Sequence, residues 1–268
     1  MNVASRHIAR QSFNVGWSFP ELDLPDRIVA AGRAGFRLVE CHSPYDWPIE
    51  VLRDALAESG TELLCLNVPM GEQGFLGHAA VEGAEAAFEA GIAKALNYAV
   101  ALKAPMIHVL AGIADPTPDA EARFVANLRS ASIAAAAHEV TLLIEPLNSF
   151  DEPGYFLSDI DQAAQLLGRI SQPNVKLMFD CYHVGIERAD VLALLRKHMG
   201  SIAHVQIAAV PSHAEPDDGT VDYRTVYDLL DSSGYRGAVG IEYVPRAETA
   251  AGFGWMDRLG IIRRDLSQ

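Results

Sequence analysis

The chain is short of cysteine, of positive charge and of long apolar runs, and each shortage closes off a class of protein. Three cysteines, Cys41, Cys65 and Cys181, occur in 268 residues, with no CxxC among them. Such a sparse, odd set excludes a disulfide-built scaffold and leads us to expect a reduced, cytoplasmic protein. Lys and Arg number 21 against 35 Asp and Glu, giving a formal net charge of −14. A nucleic-acid groove needs clustered cations, so nucleic acid is not an expected partner. No stretch approaches the ~18 uninterrupted apolar residues of a membrane span, and the opening MNVASRHIARQSFNVGWSF lacks the apolar core of a secretory signal. Neither a GxGxxG nor a Walker-type loop follows the first apolar run, which argues against an open dinucleotide-binding sheet.

What the chain does contain is alternation. Short β-rich runs occur at Ser12–Val15, Phe36–Glu40, Glu62–Asn67, Met106–Leu110, Thr141–Glu145, Val175–Asp180, Ala203–Ile207 and Val239–Glu242. Helical spacing fills Leu24–Ala34, Ile49–Ser59, Val81–Leu102, Pro118–His138, Asp159–Ile170, Ala189–Met199 and Tyr223–Ser233. Strands alternating with helices of ten or more residues predict parallel pairing through βαβ units. Eight such strands in a chain of this length predict an α/β fold, one (β/α)₈ TIM barrel over residues 1–268. Ser158 reads as the N-cap of the helix at Asp159, and Gly35, Gly60, Gly200 and Gly234 as left-handed helix ends.

The ionisable residues fall where this fold would use them. Six runs end, or nearly end, on Glu40, Asn67, Glu145, Asp180, Gln206 and Glu242, and a seventh carries His108 two residues before its end. In a barrel all strand C-termini share one mouth, and that mouth holds the active site. A polar residue closing a single strand ordinarily marks a solvated turn, and Glu145 precedes Pro146, which favours extended backbone anyway. Yet Glu145, Asp180 and Glu242 each follow an apolar run (TLLI, VKLMF, AVGI) suited to burial. Three convergent carboxylates repel unless a positive charge lies among them. No Lys or Arg adjoins them in sequence. A divalent cation is the natural counter-charge, and carboxylate with amide oxygen suits hard metals such as Mg²⁺ or Mn²⁺.

These residues sit in recognisable phrases. IEPLNSFDEPGYFLSD, FDCYH, HVQIAAVP, EPDDGTVDY and IEY, in that order and preceded by HVLAG at His108–Gly112, resemble the hydroxypyruvate isomerase family of the xylose-isomerase-like barrels. The resemblance covers nearly the whole chain. It implies that Glu145, Asp180, Gln206 and Glu242 hold one divalent ion, with Mn²⁺ or Mg²⁺ ahead of Co²⁺ or Zn²⁺. It further implies that Glu145 and Glu242 face each other across the substrate as acid and base. His183, His108, Asn67, Glu40 and His213 would then contact the substrate. His138 and His198, near helix ends, read as surface residues, and Cys181 as a small buried filler.

The implied chemistry is isomerisation of a small hydroxy-keto acid or ketose through an enediolate, an intramolecular oxidoreduction. A 2-oxo-tetronate is one candidate substrate. Two departures bear on specificity. Where the family carries a GDW…GERG phrase this chain reads GEQGFLGHAA, and an Arg before the EP dipeptide is here His213. His78 and His213 therefore stand where arginine forks for a substrate carboxylate are expected. Three rival readings follow. A ketose 3-epimerase of the same superfamily is disfavoured by Gln206, where those enzymes carry His. An endonuclease IV-like phosphodiesterase would need more His ligands and a basic face. A sugar-binding barrel would have no use for an opposed Glu145–Glu242 pair. Self-association into a homo-oligomer is compatible with all of them.

Overall fold

In a computed structural model that describes residues 11–71, 75–188 and 190–260, the eight expected strands close into one parallel barrel. They are β1 (Gln11–Asn14), β2 (Leu38–Cys41), β3 (Glu62–Asn67), β4 (Met106–His108), β5 (Thr141–Ile144), β6 (Val175–Asp180), β7 (Ile202–Ile207) and β8 (Val239–Ile241). Each pairs with its neighbour in sequence, and β1 closes on β8 through Gln11–Val239, Ser12–Gly240 and Phe13–Ile241. The helices between are α1 (Leu24–Arg33), α2 (Ile49–Ser59), α3 (Glu85–Leu102), α4 (Pro118–Ala136), α5 (Ile160–Ile170), α6 (Cys181–Glu187), α7 (Val191–His198), α8 (Tyr223–Ser232), α9 (Thr249–Gly252) and α10 (Gly254–Leu259). Among the described residues no helix is long and apolar enough to cross a membrane.

Strand parity divides the core in two. Outward positions such as Leu66, Ile107, Leu142, Ile144, Leu177, Phe179, Val205 and Ile207 pack with the helices in one large buried cluster. Inward positions Cys65, Met106, Leu143 and Met178 form a separate small cluster inside the barrel. Because successive strand residues point to opposite faces, the position two residues beyond each of these inward residues points into the mouth.

Several ends differ from the expected ones for local reasons. The cap of α5 is Asp159, whose carboxylate accepts from the backbone of Asp161 and Gln162, rather than Ser158. Helix α3 starts at Glu85 instead of Val81 because Gly83 takes a left-handed φ of 73° and breaks the preceding turn. Helix α4 stops at Ala136, short of His138, where Glu139 turns left-handed. Gly35, Gly60 and Gly234 are left-handed as expected, whereas Gly200 lies inside a 3₁₀ turn over Met199–Ser201 and is not. The expected start of the sixth helical stretch, Ala189, lies outside the described residues, as do Glu72, Gln73 and Gly74 of the GEQGFLGHAA phrase. His198 is buried and bonded to Asp161 at 2.6 Å, not a surface residue, because α7 presses its last turn onto α5.

Candidate active site

The mouth of the barrel encloses a cavity of about 470 Å³, a size suited to a small molecule. Asn67, His108, Glu145, His183, Gln206, His213 and Glu242 all line it, joined by Trp17, His42, Asp151, Glu152 and Tyr182. The expected residues are thus brought together, save that Asp180 and Glu40 lie beneath this lining, each only 2% exposed. Glu145 and Glu242 stand one residue beyond the ends of β5 and β8.

Asp180 has two local duties. It ends β6 and, as the N-cap of α6, accepts the backbone N–H of Tyr182 at 2.7 Å. Glu145 lies beside His108, whose Nδ1 is 3.5 Å from Oε2. Atoms of Glu145, Asp180 and His183 able to ligate an ion all lie within 4.8 Å of one another. Burial, then the neighbouring Asp180 and Glu242 charges, pushes the Glu145 carboxyl well above the usual carboxylate range. Burial, then Glu242, does the same to Asp180.

Glu242 is the opposite case. Burial alone would raise its pKa, but His42, His213 and His183 outweigh burial and hold it down at about 2. His42 Nε2 sits 2.7 Å from Oε1, while Asn14 Nδ2 donates to Oε2 at 2.8 Å and the Gln206 amide donates to the same oxygen. The His42 pKa is raised in return: burial opposes the charged ring, and the Glu242 carboxylate overcomes it.

The histidines of the mouth have fixed roles. His183 Nδ1 accepts the Asn148 backbone N–H at 3.1 Å and lies 2.8 Å from that residue's side-chain amide. An N–H donor at Nδ1 requires a lone pair there, so the neutral ring carries its proton on Nε2 and acts as a donor rather than a ligand. Burial, reinforced by His213, lowers the His183 pKa to about 4 and keeps that ring neutral. Burial likewise takes His108 to about 3. His213 stacks on Tyr182 with ring centroids 3.9 Å apart, and the Tyr182 hydroxyl donates to Asp151 at 2.6 Å.

Sequence reasoning missed His42, Asn14 and Tyr182. His42 follows Glu40 by two, one parity step past its run, and Asn14 lies within the first run and ends β1, so strand parity carried along both runs points to each. His183, expected to contact the substrate, lines the cavity from α6, a short helix that the sequence did not announce. Cys181 is wholly buried, and burial holds its thiol well above its ordinary range, in keeping with a filler. The phrase EPDDG does not line the cavity. Glu215 accepts from Arg246 at 2.6 Å, and Asp217 accepts from Arg258 at 2.7 Å, tying the loop after β7 to the segment after β8. The loop after β3 approaches the HVLAG segment so closely that a Cβ on Gly77 would lie 2.3 Å from the Leu110 carbonyl oxygen. Gly77 also needs its φ of 98°, so only glycine serves there.

The residues present fit a divalent ion. Gln206 Oε1 is buried without a hydrogen-bond partner, and among the described residues no Lys or Arg pairs with the buried Glu145 or Asp180, a positive charge that an ion would supply.

Similarity to known proteins agrees with this architecture. A putative hydroxypyruvate isomerase of Mus musculus is 39% identical over 92% of this chain and 94% of its own length. A 2-oxo-tetronate isomerase of Cupriavidus necator is also 39% identical, over 92% of this chain and 97% of its own. The hydroxypyruvate isomerase of Escherichia coli is 36% identical over 92% and 98%. Among solved structures, one described as an AP endonuclease, family 2, from Brucella melitensis superposes with a TM-score of 0.90 at 37% identity, over 93% of this chain and 98% of that one. An E. coli 3-keto-D-glucoside 4-epimerase shares the fold at a TM-score of 0.77 but only 19% identity, over 93% and 99%. The family described as xylose isomerase-like TIM barrel matches residues 28–259, and the chain belongs to that family.

Proposed function

We propose that this protein is a metal-dependent isomerase that interconverts a small hydroxy-keto acid and its aldehyde isomer through an enediolate. The observation that carries the reading is geometric: Glu145, Gln206 and Glu242 line one small-molecule cavity over the buried Asp180, with Gln206 Oε1 buried and unpartnered. The names of the relatives, hydroxypyruvate isomerase and 2-oxo-tetronate isomerase, support both the enzyme class and the substrate class.

Glu145, Asp180, Gln206 and Glu242 would hold the ion. When bound, it supplies positive charge that stabilises the substrate oxygens as they become negative. The remaining steps belong to the chain. His183, with its proton on Nε2, donates to a substrate oxygen and orients it. Glu145, lining the cavity one residue past β5, takes the carbon-bound proton and returns it to the neighbouring carbon, the general-base role of a positioned carboxylate. Glu242 stands three strands away round the barrel, with His42 on its outer oxygen. That pair passes the hydroxyl proton between the two oxygens. The Tyr182–His213 stack and Trp17 limit water at the mouth.

The net charge of −14 and the acidic Asp151 and Glu152 at the cavity disfavour a phosphodiester polyanion as substrate. The test is a panel of hydroxypyruvate, 2-oxo-tetronates and free ketoses with added Mn²⁺, followed by proton NMR in D₂O. Conversion of a hydroxy-keto acid to its aldehyde isomer is expected. Conversion of a ketose only to its 3-epimer would overturn the reading.

A further inference from the structure

At and just under the cavity floor, three polar side chains from two strands share the carboxylate of Glu40, which stands on β2. Ser12 on β1 donates to Glu40 Oε1 at 2.5 Å, and His204 and Gln206 on β7 donate to Glu40 Oε2, each at 3.0 Å. Ser12, Glu40, His204 and Gln206 are all at most 2% exposed. The space they occupy exists because β8 passes them with Gly240, where a Cβ would lie 2.5 Å from Glu40 Oε1 and 2.8 Å from Gln206 Cγ.

A side-chain amide can be turned either way, and the neighbours decide which. Both hydrogens on Gln206 Nε2 are claimed, one by Glu40 and one by Glu242. Carboxylates only accept, so the nitrogen must lie between them and the oxygen must face elsewhere. That oxygen, Oε1, is buried and has no partner.

From this we infer that Glu40 is a positioning residue: it fixes the Gln206 amide with its oxygen free for the ion, and it touches neither ion nor substrate. The inference rests on the metal-dependent reading above. Glu40, expected from the sequence to contact substrate, instead acts one layer below. Partners of metal ligands commonly control affinity by 10–100-fold, and the effect here runs through orientation rather than charge.

The experiment measures Mn²⁺ affinity of the full-length protein by electron paramagnetic resonance, with no substrate present. Wild type is expected to bind; failure to bind would count against the metal-dependent reading itself. Glu40→Asp keeps the charge but withdraws the oxygen from Gln206, and a loss of about 10- to 100-fold in affinity is expected. Wild-type affinity in Glu40→Asp, with wild type binding normally, would overturn the positioning role alone. A second comparison uses Gln206→Glu, which has no amide to orient. Adding Glu40→Gln to that protein removes a carboxylate facing a carboxylate and should raise Mn²⁺ affinity, whereas Glu40→Gln in the wild type should lower it. The same loss in both backgrounds would mean that Glu40 acts only through its charge. At saturating Mn²⁺ the kcat of Glu40→Asp should return toward wild type while KM for substrate stays put.

Discussion

The inside of the barrel has two unlike sides. Under β3 to β6 the inward layer is apolar, made of Cys65, Met106, Leu143 and Met178. Under β7, β8, β1 and β2 it is a hydrogen-bonded set of His204, Ser12, Glu40 and Gln206 around Gly240. The carboxyls above differ in the same sense. Glu145 and Asp180 stand over the apolar side and resist ionising, through burial and neighbouring carboxylate charges, while Glu242 stands over the polar side and is driven to ionise by His42, His213 and His183 against its burial. One fold thus gives three neighbouring carboxyls two characters, through the charges that stand beside each.

The sharpest way to break this contrast is to neutralise each side in turn. Glu145→Gln and Glu242→Gln keep volume and an oxygen but lose the proton, and turnover should fall by roughly 10²–10⁴ in each, the usual worth of general acid–base catalysis. The two should then part company: Glu242→Gln should still exchange the substrate's carbon-bound proton with D₂O, and Glu145→Gln should not. Exchange surviving in Glu145→Gln and lost in Glu242→Gln would reverse the assignment. Near-normal turnover in both would end it.

Next in size is the ion's contribution to stability. With Mn²⁺ at 100 times its dissociation constant, mass action should add about 2.7 kcal/mol. Asp180→Ala should erase most of that gain; calorimetry showing an undiminished gain would remove Asp180 from the ligand set.

A smaller effect concerns pH in the metal-free protein. Glu145 and Asp180 have raised pKa values, so the stability linked to them is complete below the unfolded carboxylate range of about 4 and is lost as pH rises through their folded values. Glu242, held at about 2, works the other way, its contribution being present at neutral pH and lost only in acid. The rise in Tm given by Mn²⁺ should therefore grow from pH 5 to pH 8, and the growth should shrink in Asp180→Asn. A flat increment in scanning fluorimetry would show that burial and mutual repulsion do not raise these carboxyls.

The smallest expected change is in specificity. His213→Arg replaces a ring stacked on Tyr182 with a fork for carboxylate. KM for hydroxypyruvate should fall several-fold with kcat little altered. An unchanged KM would place the substrate carboxylate nearer His108 or Asn67.

Much of the apolar side was legible in the sequence, because TLLI and VKLMF announce buried strands and place Glu145 and Asp180 at their ends. The polar side was harder to see. Its bonds join Ser12, Glu40 and His204 across 28 and 164 residues, and no local pattern marks a side chain that serves another side chain. His204 and Gln206 do share strand parity, which hints that both face inward. Helix α6 escaped notice because it has seven residues, contains Gly185, and is capped by Asp180, which also ends the strand before it.

The bond from Asn14 to Glu242 spans 228 residues of chain and lies just above the pairing of β1 with β8 that closes the barrel. It is a clasp across the one joint that the chain must shut last in sequence distance, where the loop-closure entropy is greatest. Glu242 thus serves the joint as well as the mouth, and anything that binds and orders its carboxylate is thermodynamically linked to that joint. Slower hydrogen exchange at Ser12, Phe13 and Ile241 on filling the mouth is the expected sign of that linkage.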